Sequence, residues 1–161
     1  MMSIRKNLLR IGIKASMEKF DSQSNLPVKV IPLLMFYKHS VLFSDEIEFE
    51  PQYKTGLEGD RGELSLDVLW GLEEGDLNIF QANKSLKYLD AESCLFSIGE
   101  SFGGNHVCVS KDDGSVCLFV NDSEQNKYKI FDNIEMFTAS LQANSTVEAK
   151  GIKATSVNLN F

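Results

Sequence analysis

Cysteine is scarce in this 161-residue sequence: there are three, with no C-x-x-C pair and no metal-ligand spacing. Cys94, Cys108 and Cys117 lie in or beside apolar, strand-like runs and read as buried thiols. An odd count without a disulfide framework points to a reducing compartment. Histidine is scarcer still, with only His39 and His106, and each stands isolated from residues that would mark it as a ligand or general base. No apolar run reaches membrane-spanning length, and Arg5, Lys6, Arg10 and Lys14 interrupt the first apolar residues, so neither a secretory h-region nor a membrane span is expected. A cytoplasmic protein with no membrane partner is the expectation. Basic charge is also short: 16 Lys and Arg against 23 Asp and Glu leave a net charge of −7 and a pI near 4.8. Direct nucleic-acid binding normally needs a basic face, so it is not expected, whereas a basic protein would be attracted. Internal repeats and linkers are absent, which predicts a single domain over 1–161. No cofactor and no metal are expected.

What is present is amphipathic patterning. Ile4, Leu8, Ile11 and Ala15 form one helical stripe, widened by Leu9 and Ile13, which predicts a helix over 3–20 weakened by Gly12. A polar connector at 21–25 leads to a second helix from Pro27 through Tyr37, broken or kinked by Pro32. From Val41 the period becomes two: Phe43, Ile47 and Phe49 share one face, and Ser44, Glu46, Glu48 and Glu50 the other. A turn-rich loop at 51–62 precedes a second alternating run, Leu64, Leu66, Val68 and Trp70, ending near Gly71. A short helix is predicted around 85–89, and a strand at 94–98. A largely apolar hairpin over 107–120, turning at Asp113 and Gly114, belongs in the middle of the sheet. Asp132 or Asn133 caps a last helix carrying Ile134, Phe137 and Leu141. A strand within 154–161 is expected in the polar tail. The sum is an α+β fold, with N-terminal helices on a largely antiparallel twisted sheet and a short helix after the central hairpin.

The stretch GESFGG at 99–104 fits G-x-S-x-G, the nucleophile elbow of serine hydrolases, with Ser101 as the nucleophile. The context argues otherwise. An elbow needs a helix after the serine, and the run NHVCVS that follows has a strand pattern. The only downstream histidine is His106, five residues on, with no acid between. The structural reading makes Gly99, Gly103, Gly104 and Asn105 a turn between two strands, with Asn105 satisfying loop backbone groups through its side chain.

The carboxylates suggest a docking surface for a basic partner. Glu46, Glu48 and Glu50 form the outer strand face, Glu73, Glu74 and Asp76 a turn, and Asp112 and Asp113 a hairpin tip. Trp70, the only tryptophan, is either an interface anchor or core.

The stretch 94–141 resembles the SUKH superfamily, the group around the yeast cell-wall assembly regulators and many bacterial immunity proteins. It carries, in order, CLFSIG, ESF, Gly104 with Asn105, HVCVS, KDDG, SVCLFVND and FDNIEMFTASL. Trp70, Gly71 and Leu72 resemble that family's aromatic-Gly-Leu strand end, and Leu26 with Pro27 its N-terminal segment. In the family the second helix often ends in glycine-rich sequence, and here FYKHS runs straight into VLFS. The resemblance implies an immunity protein that neutralises a cognate toxin domain, such as a nuclease or deaminase, by stoichiometric occlusion rather than turnover. A regulator-like adaptor without a toxin is the alternative, and a hydrolase using Ser101 the third reading. Either a monomer or a homodimer is compatible with the sequence.

Overall fold

Two helix signals and one proline decide the N-terminal third of the computed structural model, which describes residues 3–17, 26–89, 91–121 and 125–143. Ser3 caps helix α1 (Ile4–Arg10) by accepting from the Lys6 N–H at 3.1 Å. The helix is shorter than its apolar stripe predicts. Gly12 takes φ +92° and donates its N–H back to Leu9, and the described backbone from Ile13 onward is not helical. Pro27 opens a single 3-10 turn (Val28–Val30), and Pro32 lies in the first turn of α2 (Ile31–Tyr37), where its missing N–H leaves no bond unmade. Pro32 thus starts the α-helix rather than breaking it. The connector expected at 21–25 and the strand expected within 154–161 lie outside the described residues.

The alternating runs form one antiparallel sheet of seven strands: β1 (Val41–Phe49), β2 (Leu64–Leu69), β3 (Leu95–Glu100), β4 (His106–Ser110), β5 (Val116–Phe119), β6 (Lys127–Phe131) and β7 (Gln142–Ala143). Their order is β6-β5-β4-β3-β2-β1-β7. The hairpin of β4 and β5 is buried along its whole length, as its two apolar faces require. Helix α3 (Ile79–Tyr88) is longer than the short helix predicted near its end, because Asn78 accepts from both Phe80 N–H and Gln81 N–H and nucleates it earlier. Asn133, not Asp132, caps α4 (Ile134–Ser140), accepting from the Met136 N–H at 2.8 Å.

Alternate residues of β4 divide the interior in two. Val107 and Val109 face the main core with Leu8, Leu33, Leu34 and Ile98, while Cys108 faces a smaller cluster with Leu86, Leu95, Cys117 and Phe119 under α3. The arrangement is α+β: α1, α2 and α4 pack against the main core, and α3 lies along β3, giving Ile79 and Ala82 to that core and Leu86 to the smaller cluster. Cys108 and Cys117 face each other across β4 and β5, and burial pushes both thiols up, Cys108 well above its ordinary range. Cys94 departs from the expectation: it is only half-buried.

The sheet curls until its two ends meet. The Ile130 carbonyl accepts from the Gln52 N–H at 2.8 Å and the Tyr53 N–H at 3.3 Å, tying the chain beyond β1 to β6. Asp132 fastens this closure, accepting from Gln52 Nε2 at 2.9 Å and the Tyr53 hydroxyl at 2.8 Å while pairing with Lys129 at 3.0 Å. These bonds draw its carboxyl down to about 2. Inside the curl the rings of Phe49, Phe131 and Phe137 meet with centroids 5.4 to 5.9 Å apart, one pair edge-on.

Candidate functional site

The GESFGG stretch folds as a tight connection between β3 and β4. Ser101 N–H donates to the Asn105 carbonyl at 2.8 Å, and Gly103 and Gly104 take φ of +65° and +77°, angles that favour glycine. Gly99 lies earlier, within β3 at a register shift, and not in the turn. A Cβ there would come 2.5 Å from the Val68 carbonyl oxygen, so the position needs glycine for close approach. Asn105 closes the loop through its backbone, with its N–H donating to Phe102 at 3.2 Å. Its side chain makes no hydrogen bond among the described residues, contrary to the expected role.

Ser101 is fully buried, and its hydroxyl donates to the Ser65 carbonyl at 2.6 Å. His106 is not isolated, as the sequence suggests, but its partner is Ser97: Ser97 Oγ and His106 Nδ1 lie 2.8 Å apart, both residues buried. Nine residues apart, they meet only because β3 and β4 pair. Burial lowers the His106 pKa from its ordinary 6.5. The folded state therefore takes up a proton at lower pH than the unfolded chain, and stability that is full above about pH 6.5 declines as the pH falls below it. Urea midpoints measured from pH 8 to pH 5 should fall, and His106→Gln should flatten that decline.

Trp70, Gly71, Leu72 and Glu73 form a junction with Lys38, His39 and Ser40, where α2 turns into β1. Ser40 Oγ accepts from the Gly71 N–H at 2.8 Å, the Lys38 carbonyl accepts from the Leu72 N–H at 2.7 Å, and the Trp70 carbonyl accepts from the Tyr37 hydroxyl at 3.2 Å. The Glu73 carboxylate accepts from the Ser40 N–H at 2.9 Å and the Ser40 hydroxyl at 3.2 Å. Two docking candidates are thereby corrected. Trp70 is 7% exposed and packs in the core, its indole N–H without an acceptor among the described residues, so it is no surface anchor. Glu73 is a clamp within the fold.

The remaining predicted carboxylates do not form one patch. Glu48 is a third correction: it alternates with Ile47 and Phe49 as predicted, yet it is buried, flanked by β2 and β7 with Arg61 at 2.9 Å. Glu50 pairs with Lys54 at 3.0 Å, and Asp113 accepts from the Ser115 N–H at 2.9 Å and hydroxyl at 2.7 Å, bonds that lower its carboxyl. Glu46, Glu74, Asp76 and Asp112 are exposed, with no ion pair among the described residues. Glu74 and Asp76 follow the junction at the start of β1. The loop carrying Lys54 and Arg61 leaves its far end, up to roughly 30 Å away. Asp112 and Asp113 sit elsewhere, on the hairpin tip near Lys29 and Asn133.

Sequence reading missed Asp60 and Asp67, both exposed, and Glu100 on β3 beside Asp67. Burial and then the Asp67 charge push the Glu100 carboxyl up. A signal for them was available in the count: residues 41–76 carry eleven acids and two bases, and residues 1–40 seven bases and two acids. The carboxylate excess is thus concentrated on β1, β2 and the segments flanking them. No family model, curated protein or solved structure matches the chain. Among the described residues, no helix is long and apolar enough to cross a membrane, and no cluster of His, Cys, Asp or Glu could hold a metal ion.

Proposed function

We propose that this protein binds a basic protein partner one-to-one and occludes it. The partner is a toxin domain of the nuclease or deaminase kind, as the likeness to SUKH immunity proteins implies. The observation that carries the reading is the carboxylate excess of residues 41–76, with Glu46, Asp60, Asp67, Glu74 and Asp76 all exposed. Such a field steers a basic partner and speeds its encounter, while unpaired carboxylates can form new ion pairs on docking without breaking old ones. Binding without turnover is supported by the Ser101 hydroxyl, which is already donated to the Ser65 carbonyl. A cytoplasmic setting suits three unpaired thiols.

Stopped-flow association with a basic toxin domain of the nuclease or deaminase kind tests the steering. Raising the salt from low to about 0.5 M should slow association by about tenfold or more, with dissociation much less affected. The variant Glu46→Lys/Asp67→Lys/Glu74→Lys/Asp76→Lys should do the same at low salt. Glu48 and Glu73 are left unchanged because the fold uses them. Association indifferent to both salt and charge reversal would remove these carboxylates from the interface.

A further inference from the structure

We propose that a cleft beside α3 binds a small amphipathic organic anion, an apolar body carrying one carboxylate. The inference is independent of the toxin reading. The cleft arises from the sheet itself. β2 pairs with β3 only at Val68 with Glu100 and Leu69 with Gly99, so among the described residues the first half of β3 has no strand on that side. Asn83 of α3 stands in for the missing strand at one residue: its Oδ1 accepts from the Ser97 N–H at 2.7 Å, and its Nδ2 donates to the Ser97 carbonyl at 3.0 Å. Beyond Asn83 the gap stays open, with a volume of about 580 Å³, bounded by Leu86, Lys87, Ser93, Leu95, Phe96 and Lys111. That volume lies within the range of small-molecule sites.

The lining defines the occupant. Leu86, Leu95 and Phe96 supply an apolar floor on which a hydrocarbon or aromatic body would be drawn out of water. Lys87 and Lys111 supply two ammonium groups, neither with a carboxylate partner among the described residues. Glu92, the acid on the rim, does not neutralise them, because Lys127 holds it at 2.8 Å. In a chain of net charge −7, the two ammonium groups of this cleft have no carboxylate partner among the described residues and stand above an apolar floor. A carboxylate on an apolar body meets both features at once, with the Ser93 hydroxyl as a further donor.

The test is an amide NMR titration of the full chain with 2-naphthoate, alongside its neutral isostere 2-naphthamide. Saturable shifts are expected at Leu86, Leu95, Phe96 and Lys111. Both the amide isostere and the variant Lys87→Glu/Lys111→Glu should bind about tenfold more weakly or worse. Should that variant alter the spectrum away from the cleft, Lys87→Gln/Lys111→Gln takes its place. Absence of saturable shifts at millimolar naphthoate, shifts centred elsewhere, or equal affinity for naphthamide would each overturn the proposal. None of these outcomes bears on the acidic face.

Discussion

Replacing Gly71 with alanine should destabilise the protein by about 3 kcal/mol or more, at the upper end of what overpacking costs. The added Cβ would stand 2.3 Å from the His39 carbonyl carbon and the Ser40 nitrogen, and 2.5 Å from the Lys38 carbonyl oxygen. All three are main-chain atoms, so no side-chain rotation relieves the contact. The backbone must move where Ser40 and Lys38 bond to Gly71 and Leu72, and Glu73 would lose its hold on Ser40 with them. Gly75, four residues on, is the comparison: it has φ +113°, but a Cβ there meets nothing within 4 Å, so its alanine variant carries backbone strain alone, about 1 to 3 kcal/mol. Urea unfolding monitored by Trp70 fluorescence and by circular dichroism measures both. Equal losses at the two positions would mean that close approach is not what Gly71 provides.

Phe137→Ala should cost about 3 to 5 kcal/mol. Phe137 is fully buried on α4, and its ring meets Phe49 at 5.4 Å and Phe131 at 5.7 Å. Those partners come from opposite ends of the sheet order, so the substitution opens a cavity where the curl is closed from within. Asp132, Gln52 and Tyr53 close the same place from outside, but their bonds are exposed to water and cannot make up the loss. The urea midpoint should fall while the slope of the transition stays unchanged. A loss below about 1.5 kcal/mol would show that the aromatic cluster is not central to the closure.

Local signals carried much of this fold, and their failures share a cause. Alternation placed β1 and β2, apolar runs placed β3 and the β4–β5 hairpin, and the side chains of Ser3, Asn78 and Asn133 mark helix starts by local hydrogen bonds. The sequence reading passed over KYKIF, although Tyr128 and Ile130 alternate with Lys127 and Lys129. Pairing with β5 and the arrival of Gln52 and Tyr53 fix it as β6. Glu48 was misread as exposed because alternation gives the face of a residue and not what packs over it. Its partner Arg61 comes from a loop whose path no periodicity predicts.

The candidate surface was legible in composition more than in position. The sequence pointed to Glu46, Glu74, Asp76 and Asp112, which are exposed, but also to Glu48, Glu73 and Trp70, which the fold uses internally. Whether a carboxylate is free for a partner depends on long-range bonds such as Glu73 to Ser40, formed across 33 positions. The pairing of Ser97 with His106 and the splaying of β2 from β3 likewise come from strand register.

Toxin neutralisation is read out by co-expression in a growth assay. A basic toxin domain of the nuclease or deaminase kind would be induced with the unaltered protein, with the variant reversed at Glu46, Asp67, Glu74 and Asp76, or alone. Growth arrest by the domain alone, rescue by the unaltered protein, and loss of rescue by the folded variant are expected. Growth arrest that the unaltered protein fails to relieve would contradict neutralisation and favour an adaptor without a toxin.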